Sequence, residues 1–177
     1  MAFFTVIIPL YNKESYVKNT IDSILNQTFT DYEVLIVNDC SSDKSIEKVK
    51  PFLTDKIKLI EHSENKGLSA ARNTGINNAN ANYITFLDAD DLWKPDKLEK
   101  QLAFIKRENC DICYSSYELI NENGELTRRF IISTSQFGLG FEPGSNRTPT
   151  GRFVISDKIG EGAPLGEVFV GRVPTGR

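Results

Sequence analysis

The sequence predicts an α/β fold, in which a mainly parallel sheet carries helices on both faces and is followed by a tail rich in β-structure and loops. Strand and helix signals alternate between residues 4 and 119, and the first strand segment, residues 4–10, is a continuous apolar run. Such a run is typical of a central parallel strand buried on both faces. The alternation of strands with helices indicates βαβ units with right-handed crossovers.

Five strands are predicted from apolar segments bounded by turn residues. They cover residues 4–10, 33–37, 57–60, 83–87 and 111–119. The first is apolar along nearly its whole length and rich in β-branched residues, which favours a central position in the sheet. Asn123-Gly124 predicts a turn after the fifth strand.

Four helices are predicted between these strands. They cover residues 15–27, a segment from Ser42 or Asp43 to Lys50, residues 68–79, and a segment that begins near Pro95. The first and last have apolar residues at helical spacing, and Pro51 follows the end of the second. Gly75 lowers the helical propensity of the third.

Composition excludes several classes of protein. The chain has 177 residues, 40% of them hydrophobic, which is enough for a globular core. A net charge of −3 gives no reason to expect a nucleic-acid-binding protein. No apolar run is long enough to span a bilayer, and the first ten residues lack the features of a signal peptide. We therefore expect a cytoplasmic protein, and its three cysteines fit a reducing compartment.

The composition changes after Arg129. Residues 136–177 contain nine of the twelve glycines and most of the prolines, and helical periodicity disappears there. We place a domain boundary near residues 129–133. The predicted domains are residues 1–129 and a β- and loop-rich tail, residues 130–177.

Acidic and polar residues follow three of the predicted strands. Asp88-Ala89-Asp90-Asp91 comes after the fourth strand, Asn38-Asp39 after the second, and residues 9–12 (PLYN) end the first. Ligands of open α/β sheets bind beyond the carboxyl ends of the strands. An Asp-x-Asp there suits Mg²⁺ or Mn²⁺, which accept a few carboxylates together with diphosphate oxygens. The alternative is a solvated acidic turn in which Asp91 caps the next helix.

Three further side chains have two interpretations each. Asp39 either accepts hydrogen bonds from a base or ribose, or serves as a turn residue. Arg72 either reaches a phosphate or lies on a solvated helix face. Tyr11 either stacks on a base or packs at the strand end. A dinucleotide-binding Rossmann domain and a P-loop are both excluded, because the turn after the first strand contains no glycine.

Five motifs together resemble family-2 glycosyltransferases, inverting enzymes of the Rossmann-like GT-A fold. They are residues 5–12 (TVIIPLYN), 24–29 (ILNQTF), 33–39 (EVLIVND), 65–75 (NKGLSAARNTG) and 83–91 (YITFLDADD), in the family's order and spacing. The resemblance covers residues 3–128. It implies a nucleotide-sugar donor, most often UDP-linked, a Mg²⁺ or Mn²⁺ ion, a glycan or lipid-linked acceptor, and polysaccharide assembly at the cytoplasmic membrane face.

The resemblance also implies roles for individual residues. Pro9, Leu10 and Tyr11, with Asn12 beside them, would contact the base and ribose, and Asp39 would hydrogen-bond the nucleobase. Arg72 and Asn73 would lie near the base or diphosphate. The turn Asp88-Ala89-Asp90 would bind the donor, with Asp88 in contact with the ribose or the metal shell and Asp90 as the direct metal ligand.

The family's general base, an Asp or Glu in the second half of the domain, matches no residue after 130. The alternative function is therefore a nucleotide-diphosphate-sugar-binding module without turnover. We further expect an incomplete GT-A sheet that exposes an edge and an apolar face, so that either the tail covers this surface or the chain is unstable or forms homo-oligomers.

The tail, residues 130–177, resembles an internal segment of L,D-transpeptidase (YkuD-like) domains. The resemblance rests on residues 132–135 (ISTS), 144–153 (GSNRTPTGRF) and 168–176 (VFVGRVPTG). The His-Gly and Ser-His-Gly-Cys motifs of those enzymes are absent, since no histidine or cysteine follows Cys113. A transpeptidase-related protein is the third hypothesis.

Overall fold

The computed structural model describes residues 2–111, 113, 115–121, 123–130, 169–170 and 173–174. The chain forms two compact units, residues 1–113 and 114–177. The domain boundary near residues 129–133 stays a prediction. In the described part of the chain, no helix combines the length and the apolar composition needed to cross a membrane.

The first unit is built on a four-stranded parallel sheet. Its strands are β1 (Phe4–Leu10), β2 (Tyr32–Asn38), β3 (Ile57–Glu61) and β4 (Tyr83–Phe86). Their order is β3-β2-β1-β4, and all three pairings are parallel. Every residue of β1 is buried, which agrees with its central place. The predicted α/β fold and its first four strands are confirmed.

Four α-helices connect and follow these strands. They are α1 (Val17–Leu25), α2 (Ser45–Val49), α3 (Leu68–Asn78) and α4 (Lys97–Glu108). The α2 helix continues as a 3₁₀ turn, Lys50–Phe52, so Pro51 lies inside helical structure rather than beyond it. The α4 helix begins two residues after Pro95, whose carbonyl accepts a hydrogen bond from the Thr28 N–H at 2.9 Å.

Helices cover both faces of the sheet. Phe4, Val6, Ile8 and Leu10 of β1 form one core cluster with apolar residues of α1, α2 and α4. The opposite face carries α3, where Gly75 faces Ile7. A Cβ atom on Gly75 would lie 2.4 Å from Ile7 Cγ2. The glycine that weakened the helix prediction therefore allows α3 to approach β1 closely.

The fifth predicted strand is wrong in extent and pairing. In the second unit, β5 (Tyr117–Ile120) begins at Tyr117 and pairs antiparallel with β6 (Leu126–Phe130). The predicted Asn123-Gly124 turn closes this hairpin, with Gly124 at φ 79° and its N–H bonded to the Asn121 carbonyl. A short turn suffices for an antiparallel partner, whereas a parallel partner requires a long crossover.

Two short strands are described in the tail, β7 (Phe169–Val170) and β8 (Val173–Pro174), which pair antiparallel. Most other residues of the predicted tail, including the stretch 144–153, lie outside the described residues. In the first unit, β4 forms one edge of the described sheet. The expectation of a homo-oligomer stays a prediction.

Candidate functional site

The carboxyl ends of the parallel strands form one rim. The Asp39 N–H donates to the Leu10 carbonyl at 2.8 Å and so joins β2 to β1. The His62 N–H donates to the Asn38 carbonyl at 2.9 Å and joins β3 to β2. The segment after β4 begins with Leu87, whose N–H donates to the Ile7 carbonyl at 3.0 Å. The sheet therefore brings the three polar strand ends predicted from the sequence to one edge.

Asp39 is a buried anchor of this rim. Its side chain is only 4% exposed. Oδ1 accepts a hydrogen bond from the Lys66 N–H at 2.8 Å, and Oδ2 accepts one from the Gly67 N–H at 2.7 Å. Burial by itself raises the pKa of Asp39, but these bonds and the His62 imidazole outweigh burial, so the pKa lies below its ordinary value. The carboxylate is thus ionised and holds the turn that precedes α3.

His62 connects Asp39 to helix α3. Its Nδ1 lies 2.7 Å from Asp39 Oδ1, and its Nε2 lies 2.8 Å from Thr74 Oγ1. An ionised carboxylate only accepts, so Nδ1 carries the proton of this bond. In the neutral imidazole, Nε2 then accepts from the Thr74 hydroxyl. The ring orientation is set by both partners, and β3, β2 and α3 are joined through one side chain.

The turn after β1 combines buried and exposed predicted residues. Pro9 and Leu10 are buried, so Leu10 acts on the rim through its backbone. Tyr11 is 48% exposed and available to a ligand. Asn12, at φ 51°, accepts hydrogen bonds from the Ser42 N–H and hydroxyl, at 2.9 and 3.4 Å. Asn12 thus fixes the β1–α1 turn against the β2–α2 loop.

Arg72 lies on α3 and faces the acidic turn. Its Nη2 donates to Asp88 Oδ1 at 2.8 Å, and its guanidinium lies 5.7 Å from the centre of the Phe86 ring. The Arg72 Nε is buried and makes no hydrogen bond within the described structure. Asn73, the next residue, is exposed. Arg72 lies five positions after Gly67, about 7.5 Å along a helix axis, so α3 links Asp39 to Asp88.

Lys13 pairs with the predicted metal ligand. Its Nζ lies 2.6 Å from Asp90 Oδ2, and the two side chains are 37% and 39% exposed. This hydrogen bond, reinforced by the Asp90 charge, raises the pKa of Lys13 above 10.5 despite partial burial. Desolvation, followed by the charges of Asp90 and Asp88, raises the pKa of Asp91. The turn therefore carries a carboxylate repulsion that a bound cation would relieve.

Polar residues of α1 hold the acidic turn in place. The buried Thr20 hydroxyl donates to the Ala89 carbonyl at 2.9 Å, and the Trp93 N–H donates to Ser23 Oγ at 3.2 Å. Thr20 and Ser23 lie three positions apart on one face of α1. Gln27 follows the end of this helix; its Nε2 donates to the Lys94 carbonyl at 2.7 Å, and its Oε1 accepts from the Leu98 N–H at 3.0 Å. Ala89 is 2% exposed, which leaves Asp88 and Asp90 on the outer side of the turn.

The residues of the acidic turn fit a Mg²⁺ or Mn²⁺ ion that also binds a diphosphate. Among the described residues, no three His, Cys, Asp or Glu side chains form a group that could hold a metal by themselves. Asp88 and Asp90 instead present hard oxygen ligands on a partly exposed turn. Mg²⁺ is commonly bound by one or two carboxylates, and substrate phosphates and water complete its shell.

The structure thus brings together most of the predicted residues and adds four that the sequence interpretation missed. The added residues are Lys13, His62, Thr20 and Gln27. Lys13 follows the quoted motif directly, and Thr20 and Gln27 share one face of a predicted helix with Ser23. For His62 the sequence contained no such signal, because its partners are 23 and 12 residues away.

Comparison with known proteins agrees with the fold. The sequence model described as glycosyl transferase family 2 matches residues 5–161. The structure resembles S. aureus TarS 1-349 in complex with UDP-GlcNAc, with a TM-score of 0.58 and 25% identity, over 69% of this chain and 41% of that one. It also resembles mannosyltransferase PcManGT from Pyrobaculum calidifontis in complex with GDP-Man and Mn²⁺, with a TM-score of 0.55 and 25% identity, over 67% and 35% of the two chains. The predicted GT-A type of sheet is thereby confirmed.

Curated relatives are also glycosyltransferases. The putative teichuronic acid biosynthesis glycosyltransferase TuaG of Bacillus subtilis is 36% identical over 129 residues, which are 72% of this chain and 51% of TuaG. The Escherichia coli β-1,3-glucosyltransferase WfgD is 40% identical over 127 residues, 72% of this chain and 50% of WfgD. The chain spans about half the length of these two relatives. The L,D-transpeptidase resemblance of the tail stays a prediction, whereas residues 5–161 place the chain in glycosyl transferase family 2.

Proposed function

We propose that this chain is the donor-binding part of a metal-dependent, inverting glycosyltransferase that uses a UDP-sugar. The base and ribose lie against Asp39 and the turn from Pro9 to Asn12, and the diphosphate lies at the acidic turn with Mg²⁺ or Mn²⁺. The cation neutralises charge on the departing diphosphate when the glycosidic bond breaks.

The observation that carries this proposal is the link between the two ends of the rim. Asp39 is joined to Gly67 at the start of α3, and Arg72 on the same helix reaches Asp88. A nucleoside diphosphate needs an acceptor for its base and charge compensation for its phosphates a few ångströms away. The α3 helix provides that spacing, and Arg72 offers a guanidinium to a phosphate oxygen.

The names of similar proteins support the choice of ligands. The TarS structure holds UDP-GlcNAc, and the PcManGT structure holds GDP-Man with Mn²⁺. WfgD is described as transferring glucose from UDP-Glc to a GlcNAc unit on diphosphoundecaprenol, a lipid-linked acceptor. We extend these features to this chain: a nucleotide-sugar donor, a glycan or lipid-linked acceptor, and peripheral association with the cytoplasmic face of the membrane.

Binding of UDP in the presence of Mn²⁺ tests this proposal by isothermal titration calorimetry. We expect measurable affinity that falls at least tenfold when Mn²⁺ is removed or when Asp90 is changed to Ala. Asp96→Ala is the matched control, because Asp96 is an aspartate outside the rim that pairs with Lys100. Absence of UDP binding, or equal affinity of the Asp90→Ala and wild-type proteins, contradicts the proposal.

Binding without turnover is the second candidate for these 177 residues. It is motivated by the absence of a family-like Glu-Asp pair after residue 130, since the acceptor hydroxyl needs a general base. Transfer of radiolabelled sugar from UDP-glucose and UDP-GlcNAc to lipid-linked and soluble glycan acceptors separates the two. Product formation that disappears with Asp90→Ala rules out the binding module, and UDP binding without any transfer rules out turnover by this chain.

A further inference from the structure

We propose that Lys13 is an exchangeable counter-ion that makes metal binding and donor binding depend on each other. In the free protein it neutralises Asp90. When a divalent cation takes Asp90, the Lys13 ammonium group moves to the donor diphosphate. The inference rests on the proposed function, because it assigns a role to Lys13 within that same site.

The backbone around Lys13 is held in place, so only the side chain has to move. The Lys13 N–H donates to Ser45 Oγ at 2.8 Å, and the Glu14 N–H donates to Asp43 Oδ2 at 3.0 Å. Asn12 adds its bonds to the Ser42 N–H and hydroxyl. The ammonium group can therefore change its position beside the acidic turn by rotation of the flexible Lys13 side chain, whose length limits its reach.

The ion pair itself is easily exchanged. Lys13 and Asp90 are each more than one third exposed, and their short contact joins only one oxygen of the carboxylate. Exposed pairs of this kind contribute little net stability, because water solvates both partners. A divalent cation has twice the charge of the ammonium group and can displace it from Asp90.

The second cation of the rim has contacts besides its ion pair. The Arg72–Asp88 pair, at 2.8 Å, is about as exposed as the Lys13–Asp90 pair, but the Arg72 guanidinium also lies 5.7 Å from the centre of the Phe86 ring and its Nε is buried. The position of Arg72 on α3 is fixed by helical packing against β1 and β2. Of these two cations, both in the described part of the chain, Lys13 is therefore the one suited to change partners.

Charge balance explains why the exchange couples the two ligands. Lys13 and Arg72 compensate two of the three carboxylates of the turn, Asp88, Asp90 and Asp91, so a lone divalent cation finds a site that is already nearly neutral. It must also displace Lys13 into solvent. When a nucleoside diphosphate also binds, its negatively charged phosphate groups pair with the Lys13 ammonium group released from Asp90. We therefore expect weak binding of the metal alone and strong mutual enhancement with UDP.

The test uses the whole chain and two readouts other than activity. Free Mn²⁺ is counted by electron paramagnetic resonance with and without UDP, and UDP binding is measured calorimetrically at saturating Mn²⁺. For Lys13→Met we expect Mn²⁺ alone to bind roughly twofold to fivefold more tightly. We expect UDP to bind more weakly, so that the enhancement between the ligands shrinks. Opposite signs of the two effects distinguish this role from a general loss of structure.

Two further variants complete the design. Lys13→Arg keeps the charge and is expected to retain the enhancement. Lys18→Met removes an equally short lysine–aspartate contact, with Asp22 on α1, and is expected to change neither affinity. The proposal is overturned when Lys13→Met binds Mn²⁺ no more tightly than the wild type, or when Lys18→Met reproduces its effects. If the wild type does not bind UDP with Mn²⁺, the proposed function itself is refuted. If the wild type binds UDP and Lys13→Met has the same affinities as the wild type, only the role of Lys13 is refuted.

Discussion

The imidazole of His62 and the carboxylate of Asp39 form a buried pair, with Nδ1 and Oδ1 2.7 Å apart and both side chains less than 10% exposed. The pair also connects separate elements of the fold. Through Thr74 and Gly67 it fastens the ends of β2 and β3 to helix α3. Asp39, which the sequence predicts to hydrogen-bond a nucleobase, is therefore also a structural anchor. We expect its substitution to affect both nucleotide binding and stability, and the two effects can be measured separately.

Replacing Asp39 with Asn tests the anchor. An amide has one acceptor oxygen, so its NH₂ group must face either the Gly67 N–H or the side with Lys66 and His62. We expect the free energy of unfolding to fall by about 2–4 kcal/mol, the range for a buried charged group that leaves donors unpaired. Urea denaturation followed by circular dichroism measures this change.

Asp55→Asn is the control for that substitution, because Asp55 is exposed in a turn. Its expected effect is within about 0.5 kcal/mol of zero, as for most surface substitutions. Equal losses of stability for the two variants would show that Asp39 is not an anchor.

The pH dependence of stability tests the ionisation state of Asp39. Its folded-state pKa is lowered from 3.8, because the hydrogen bonds of Lys66, His62 and Gly67 outweigh burial. Such a group stabilises the fold above its unfolded pKa, and that contribution is lost as the pH falls through the folded pKa. The stability difference between wild type and Asp39→Asn should therefore be constant at neutral pH and shrink below about pH 4. Unfolding curves between pH 3 and 7 measure it, and a difference that grows in acid contradicts the assignment.

Gly75→Ala tests the close approach of α3 to β1. The new Cβ would lie 2.4 Å from Ile7 Cγ2, so the helix or the fully buried Ile7 must shift. We expect a loss of about 1–3 kcal/mol from overpacking, although alanine has the higher helix propensity. Thermal unfolding measures the loss. Asn77→Ala, at an exposed position of the same helix, should leave the melting temperature unchanged or slightly raised, and a stabilised Gly75→Ala variant would contradict the packing argument.

Thr20→Val tests the support that α1 gives to the acidic turn. The substitution keeps the shape of the side chain and removes the donor to the buried Ala89 carbonyl. We expect a stability loss of about 1–3 kcal/mol and weaker binding of UDP with Mn²⁺, since Asp88 and Asp90 flank Ala89.

Thr28→Val is the matched control for this variant, because the Thr28 hydroxyl bonds Glu99 at an exposed site. Calorimetric titration and urea denaturation of both variants give the comparison. If Thr20→Val binds UDP as tightly as Thr28→Val, α1 does not position the acidic turn.

The strands of the first unit could be predicted because their signal is local. In β1 and β2, burial on both faces demands an unbroken apolar run, and that run is visible in the sequence. The prediction of the fifth strand was wrong because its pairing depends on contacts that are not local. Its segment is apolar enough for a strand, but the choice between a parallel and an antiparallel partner depends on which segment pairs with it. Here the neighbouring β6, reached through the Gly124 turn, is that partner.

The α/β class, the four parallel strands and the polar residues at their carboxyl ends could be predicted from the sequence, because each follows from residue type and spacing within one segment. The partners of those polar residues depend on how the strands are arranged in space. The pairing of Lys13 with Asp90 spans 77 residues, and that of His62 with Asp39 spans 23. Contacts of this kind arise when the sheet brings distant strand ends to one rim, and no local pattern encodes them.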